Sequence, residues 1–367
     1  MLQRRKVLGF IAAGLIAVLS SAAVVAGGVV HLYNWNDYFA PDTLDGFKER
    51  TGTRPVLDVY DANEILEAKL LAGRSGYDLV FPTARPFAAR HIKAGIYREL
   101  DRDKLPGWDN LDPAILKSLE DVDPGNRYLV PYMWGTSGIG LNPAKVKAAL
   151  GEEPEDTWGL LFDPAKAEKL AACGIALLDD ATEVYAAALA YLGKDPNSLA
   201  AEDLEAAQAL LQKVHPFVRY FHSSQYISDL ANGDICIALG YSGDVLQAQS
   251  NAEEAGKGVE VEYLIPREGA VLWTDVMAIP KDAPHPENAH AFIAHLLDPQ
   301  VIAAVSNHVY YANPNLAAKA HLDEALRDDA SVYPPEEVLA RLVVPPQRSD
   351  AEIRNLNRLW TRLKAKR

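Results

Sequence analysis

Acidic and aromatic residues gather at five places along the chain: Trp35-Asn36-Asp37-Tyr38, Asp179-Asp180 with Glu183, Tyr241 with Asp244, Trp273 with Asp275, and Tyr310-Tyr311. Carboxylates form charge-assisted hydrogen bonds with ammonium groups, and aromatic faces attract cations while covering methylenes. Such pairs, with no matching Lys or Arg beside them, suit an organic polycation. Taken singly, each has a structural explanation, because Trp and Tyr pack cores and an Asp at a strand end caps the next helix. Asp37, for instance, is near enough to Pro41 to assist a helix start. The five together are harder to assign to packing.

Other chemistries find less support. "GYSGD" at 240–244 resembles a nucleophile elbow but puts Asp244 where the tight turn needs Gly. "GTSGIG" lacks the Lys-Ser/Thr of a phosphate-binding loop, and its glycines read as turn and packing residues. His31, His215, His222 and His308 have no metal-ligand spacing, so neither a metal nor a cofactor is expected.

The elements that must position these residues alternate. Strand "VVHLYNW", helix "PDTLDGFKER", strand "RPVLDVYD", helix "NEILEAKLLAG", strand "YDLVFP" and helix "ARPFAARHIKAG" follow one another. This order predicts βαβ units on a mostly parallel sheet, with Pro41 in the first turn of its helix and Phe39 or Ala40 as cap. After the strand-like "YLVPYMWGTSGIGLN" a second α/β series opens: strand 174–179, helices near 182–193 and 201–214, strand "VRYF", helix 224–232, strand 235–241 and helix 243–255. Two α/β sets suggest two lobes. Strands "VEVEYLIP" and "VLWTDVMAIP" then precede the helical "PENAHAFIAHLLDPQVIAAVSNHV", and a return to the first lobe there would make each lobe discontinuous.

The 367 residues, 49% hydrophobic, are enough for two compact domains. At the start, Arg4, Arg5 and Lys6 precede an apolar run that ends in small residues, the layout of a secretory signal peptide with cleavage after Ala26. An uncleaved anchor is the alternative, and Arg4-Arg5 admits twin-arginine export. Removing residues 1–26 takes away three basic groups and leaves 33 Lys and Arg against 50 Asp and Glu, about −17. That charge disfavours nucleic acid and favours cationic partners. Cys173 and Cys236 are the only cysteines; in an oxidising compartment they are either a disulfide or two buried thiols.

Nearly the whole mature chain resembles the periplasmic polyamine-binding proteins of ABC importers, most closely the putrescine-binding type. The likeness rests on "LYNWNDYFAPDT", "YDLVFPT", "VPYMWGTSGIGLN", "YLGKDPNS", "VRYFHSSQYISDLANGDICIALGYSGDV", "DVMAIP", "HVYYANPN" and "YPP". The resemblance implies an α/β, two-lobed solute-binding fold of type II, with discontinuous lobes joined by crossover hinge strands. The first lobe is expected over 27–134 and 272–312, and the second over 135–271 and 313–367. It further implies a binding set of Trp35, Asn36, Asp37, Tyr38, Thr83, Glu183, Tyr241, Asp244, Trp273, Asp275 and Tyr311, and a Cys173–Cys236 disulfide. Trp273 stands where the putrescine type has Phe, and Tyr241 where it has Trp, so the preferred polyamine stays open.

The expected function is capture without chemistry by a periplasmic monomer that delivers its ligand to membrane permease subunits. Asp244 and Asp275 would hold one terminal ammonium, with Asn36, Asp37 and Thr83 at the other end and Glu183 towards it or on a middle amine. The alternatives are a polyamine or agmatine sensor of the same fold and an exported amine-processing enzyme using Glu183 or Asp275 as acid/base.

Overall fold

The computed structural model describes residues 28–365, so the expected signal peptide, 1–26, lies outside the described residues. Among the described residues nine strands follow in order: β1 (Val29–Trp35), β2 (Arg54–Tyr60), β3 (Leu79–Val80), β4 (Leu129–Leu141), β5 (Ile175–Leu177), β6 (Val218–Phe221), β7 (Ile237–Tyr241), β8 (Glu262–Leu264) and β9 (Leu272–Ala278). The helices that bear on the site are α1 (Thr43–Thr51), α2 (Asn63–Leu71), α3 (Ala181–Tyr191), α4 (Ala201–Val214), α5 (Gln225–Asn232), α6 (Ser242–Ala255), α7 (Pro286–Leu296), α8 (Pro299–Val309) and α9 (Asp350–Lys364).

The hydrogen-bonded order is β2-β1-β3-β9-β4-β7-β5-β6, with β8 also on β4. Pairing is parallel at both ends, between β1 and its neighbours β2 and β3 and between β5 and its neighbours β6 and β7. In the centre the expected parallel sheet gives way, because β9 runs antiparallel to β3 and β4, and β4 antiparallel to β7 and β8. The reason is topological: the chain crosses from one half to the other on β4 and comes back on β9. The thirteen-residue β4 pairs with β9 through Leu129–Thr136 and with β7 and β8 through Ser137–Leu141, so one strand serves both halves. All of it but Trp134 is buried, which explains its unalternating apolar sequence.

Three local expectations need correction. The first helix begins at Thr43 with Asp42 as cap, two residues beyond Pro41, and the capping side chain makes no hydrogen bond. Residues 84–88 form a wide turn in which Arg85 is extended (φ −123°, ψ 134°), and helix resumes only at Ala89. Pro86 drives its predecessor out of the helical region. The run 286–309 is two helices, because Asp298 accepts from the Gln300 amide at 3.0 Å and starts α8 at Pro299. Cys173 and Cys236 are joined, with Cα atoms 5.4 Å apart, tying the turn before β5 to the start of β7.

Candidate functional site

Strand ends place the site. Trp35 closes β1, Thr83 follows β3, Asp180 and Glu183 follow β5, and Tyr241 closes β7. These are the carboxyl ends of the parallel strands, where α/β sheets leave a crevice. Trp273 and Asp275, two apart on β9, share one face of the central crossing strand. A cavity between the two halves is lined by these residues and by Asn36, Tyr38, Asp244 and Tyr311. Every residue of the expected set lines it except Asp37, which is exposed, takes φ +51° and accepts a hydrogen bond from the Asn36 amide.

Two carboxylates organise the centre. Asp275 accepts from Thr83 Oγ1 at 2.7 Å and from Tyr38 Oη at 3.1 Å. Asp244, in the first turn of α6, accepts from Tyr311 Oη at 2.6 Å and Tyr226 Oη at 2.7 Å. Among the described residues neither pairs with a Lys, Arg or His. Burial dominates their titration, pushing Asp275 up to about 7 and Asp244 up to about 6, while the hydroxyl donors pull both back. The same burial holds the Tyr38, Tyr226 and Tyr311 phenols well above their ordinary value, so they stay protonated and donate.

Aromatic rings wall the cavity. Tyr38 meets Tyr311 edge to face at 5.4 Å, Tyr311 meets Trp273 at 5.1 Å, and Trp273 meets Tyr241 at 5.7 Å. Trp35 is fixed from the other side by donating Nε1 to the Phe81 carbonyl at 2.8 Å and by packing on Tyr60 at 4.7 Å. The glycine of "GYSGD" now has a role: a Cβ at Gly243 would stand 2.6 Å from the Tyr311 ring, so only Gly lets Tyr311 reach Asp244.

The ends of the cleft differ from the sequence expectation. Thr83 is bonded to Asp275, not grouped at the far end with Asn36, because the turn after β3 bridges directly to β9. Asp37 acts on Asp244, whose ionisation its charge opposes. Glu183 is 7% exposed, and its Oε2 has no hydrogen-bond partner. Burial and the Asp180 charge both raise its titration. Asp180 lines the cavity as well as capping α3 through the Thr182 and Glu183 amides, at 2.8 and 3.2 Å. Its neighbour Asp179 is engaged elsewhere, by Trp360 Nε1 at 2.8 Å and by Lys364. Tyr310 turns the chain with φ +59° and leaves the cavity to Tyr311.

Sequence reasoning missed Tyr226, Tyr60 and Arg85, and it named Asp180 in a cluster without carrying it into the binding set. Tyr226 comes from α5 and meets Asp244 across eighteen residues, a contact with no local signature. Asp180 was visible beside Glu183 but reads equally well as a helix cap. Arg85 breaks the expectation that no basic residue adjoins the carboxylates, although its guanidinium is paired with Asp121.

Comparisons with known proteins follow the same line. The family described as bacterial extracellular solute-binding protein matches residues 43–332. The chain is 50% identical over 354 residues to the putrescine-binding periplasmic protein SpuD of Pseudomonas aeruginosa, covering 96% of each. It is 47% identical over 366 residues to the putrescine-binding periplasmic protein PotF of Escherichia coli, covering 99% of each. The spermidine/putrescine ABC transporter substrate-binding protein PotD of Streptococcus pneumoniae superposes with a TM-score of 0.74 at 28% identity, over 92% of this chain and 99% of that one.

Proposed function

Since the chain belongs to the bacterial extracellular solute-binding proteins, with the two-lobed type II fold, we propose that it captures an aliphatic polyamine in the periplasm and presents it to an ABC importer. The carrying observation is the pair Asp244 and Asp275: a half-buried and a buried carboxylate held by hydroxyl donors, walled by aromatic rings, with no basic partner among the described residues.

An enclosed carboxylate without a cation is costly, and a ligand ammonium removes that cost. Trp35, Tyr38, Tyr241, Trp273 and Tyr311 cover the methylenes between the charged ends. Glu183 and Asn36 serve the part of the ligand farther from Asp275, and Asp37 acts at the rim. The lobes are assigned as 27–134 with 272–312 and 135–271 with 313–367, meeting along β4 and β9. Trp35, Tyr38 and Thr83 then stand on one lobe and Glu183, Tyr241 and Asp244 on the other, so only the closed form offers both half-sites together. A permease that reads the closed form would accept the loaded protein.

Calorimetric titration of the mature chain with putrescine, cadaverine, spermidine, spermine and agmatine tests the reading. At least one must bind, and silence with all five overturns it. Asp244→Ala and Asp275→Ala should each weaken binding by about 2–5 kcal/mol as loss of an enclosed charge partner.

A further inference from the structure

A second groove, of about 630 Å³, shares no lining residue with the ligand cleft and gathers cations in a chain whose formal charge is −14. Arg90 and Lys93 line one wall; Arg348 and Arg354 line the other, where α9 begins. The acids among its lining are Glu67 and Asp350. Glu67 is already engaged, because it pairs with Arg90 and lies 3.3 Å from His91 Nε2. Asp350 is followed one helical turn later by Arg354. Lys93 and Arg354 are exposed, and among the described residues neither forms an ion pair.

Arg348 is the lining group that calls for a ligand. It is 5% exposed, donates no hydrogen bond to protein, and has Nε and Nη1 enclosed without a partner, which leaves Nη2 to face the groove. Glu352 is committed elsewhere: its Oε2 accepts from the Ser349 amide and hydroxyl, both at 2.7 Å. That capping box fixes the start of α9, and Ser349 and Asp350 bring the positive end of the helix to the groove. Gln347, just before Arg348, donates to the Asp121 carbonyl at 2.8 Å and so ties this segment to the opposite side. An enclosed guanidinium without a partner is costly, and an anion beside it offsets that cost. Three further cations and a helix N-terminus around one concavity suit an oxyanion.

We propose that this groove binds a small oxyanion of the phosphate class, held by Arg90, Lys93, Arg348 and Arg354, and that the bound anion strengthens polyamine capture. Arg90 and Lys93 belong to the lobe assigned as 27–134 with 272–312, and Arg348 and Arg354 to the other, so the anion bridges the two. Anion and polyamine then both favour the closed form, and each raises the affinity of the other. The coupling rests on the polyamine-binding reading above; the anion site does not.

Inorganic phosphate is the probe, titrated into the ligand-free mature protein at fixed ionic strength against chloride and followed by phosphorus NMR and thermal melting. Saturable binding at one site is expected. Arg348→Gln should weaken it by about tenfold, as for one unit charge acting across a partly enclosed site, and Arg348→Lys should keep most of it. Lys93→Gln combined with Arg354→Gln changes two exposed positions and should weaken it as much or more, whether or not Arg348→Gln folds. Affinity for the polyamine that wild type binds, read by calorimetry, should rise about fivefold or more with phosphate present, and should not rise in the weakened variants. Absence of saturable phosphate binding, or binding that Arg348→Gln and the double variant leave unchanged, overturns the site. Phosphate binding with no effect on polyamine affinity overturns the coupling. A protein that binds phosphate and no polyamine overturns the earlier reading and leaves the anion site standing.

Discussion

Binding should release protons, and the site says how many. In the ligand-free cleft Asp275 titrates near 7 and Asp244 near 6, both raised chiefly by burial. An aliphatic ammonium keeps its proton below about pH 9, being lysine-like, so it pairs only with the ionised carboxylates. At pH 5 the ligand must therefore displace both protons. At 1.36 kcal/mol per unit, ionising Asp275 two units below its midpoint costs about 2.7 kcal/mol, and Asp244 one unit below costs about 1.4. The sum is about 4 kcal/mol, on the order of a thousandfold weaker binding at pH 5 than at pH 8.

The sign follows from the direction of the shifts: raised carboxyl values mean the free protein holds protons that the complex does not, so affinity climbs with pH and levels off above 7. Calorimetry at pH 6 in two buffers of different ionisation enthalpy should show roughly one to one and a half protons released per ligand. Asp275→Asn should remove the step near pH 7 and leave the one near 6. Equal affinities at pH 5 and pH 8, or heats independent of buffer, would refute the reasoning.

The same carboxyl makes the empty protein acid-favoured: wild type should lose about 2–3 kcal/mol of stability between pH 5 and pH 8 that ligand-free Asp275→Asn does not, read by urea melts. Gly243→Ala, which sets a methyl group against the enclosed Tyr311 ring, should weaken binding by about tenfold or more through the lost Tyr311–Asp244 bond, with a cost of about 1–3 kcal/mol shared between fold and site. Unchanged affinity in that variant would remove Tyr311 from the site. Cys173→Ser with Cys236→Ser opens a loop of 63 residues and should cost about 4 kcal/mol in thermal or urea unfolding, without a change in ligand preference.

Much of the architecture was legible. Strands and helices alternate with clear periods, so most elements stand where the pattern put them, and the misplaced boundaries trace to single prolines whose local geometry outweighs propensity: Pro41 ahead of α1, Pro86 in the wide turn, Pro299 opening α8. The composition of the site was legible as well, because aromatic and acidic residues at strand ends are visible one motif at a time. The crossing itself was implied only by the family resemblance, and its antiparallel direction was not legible in the pattern. Strand direction depends on which half the chain enters next, and nothing within "YLVPYMWGTSGIGLN" encodes that.

Sequence alone thus determined which residues could meet a polycation and that the chain is an α/β protein of two parts. Tertiary structure decided who holds whom: Thr83 belongs to Asp275, Tyr226 reaches Asp244 from another helix, Tyr311 reaches it across the cleft, and Asp37 stays exposed outside the lining. The physical reason is range. Periodicity and capping act over a few residues, whereas hydrogen-bond pairing and enclosed charge depend on distances that only the folded chain sets.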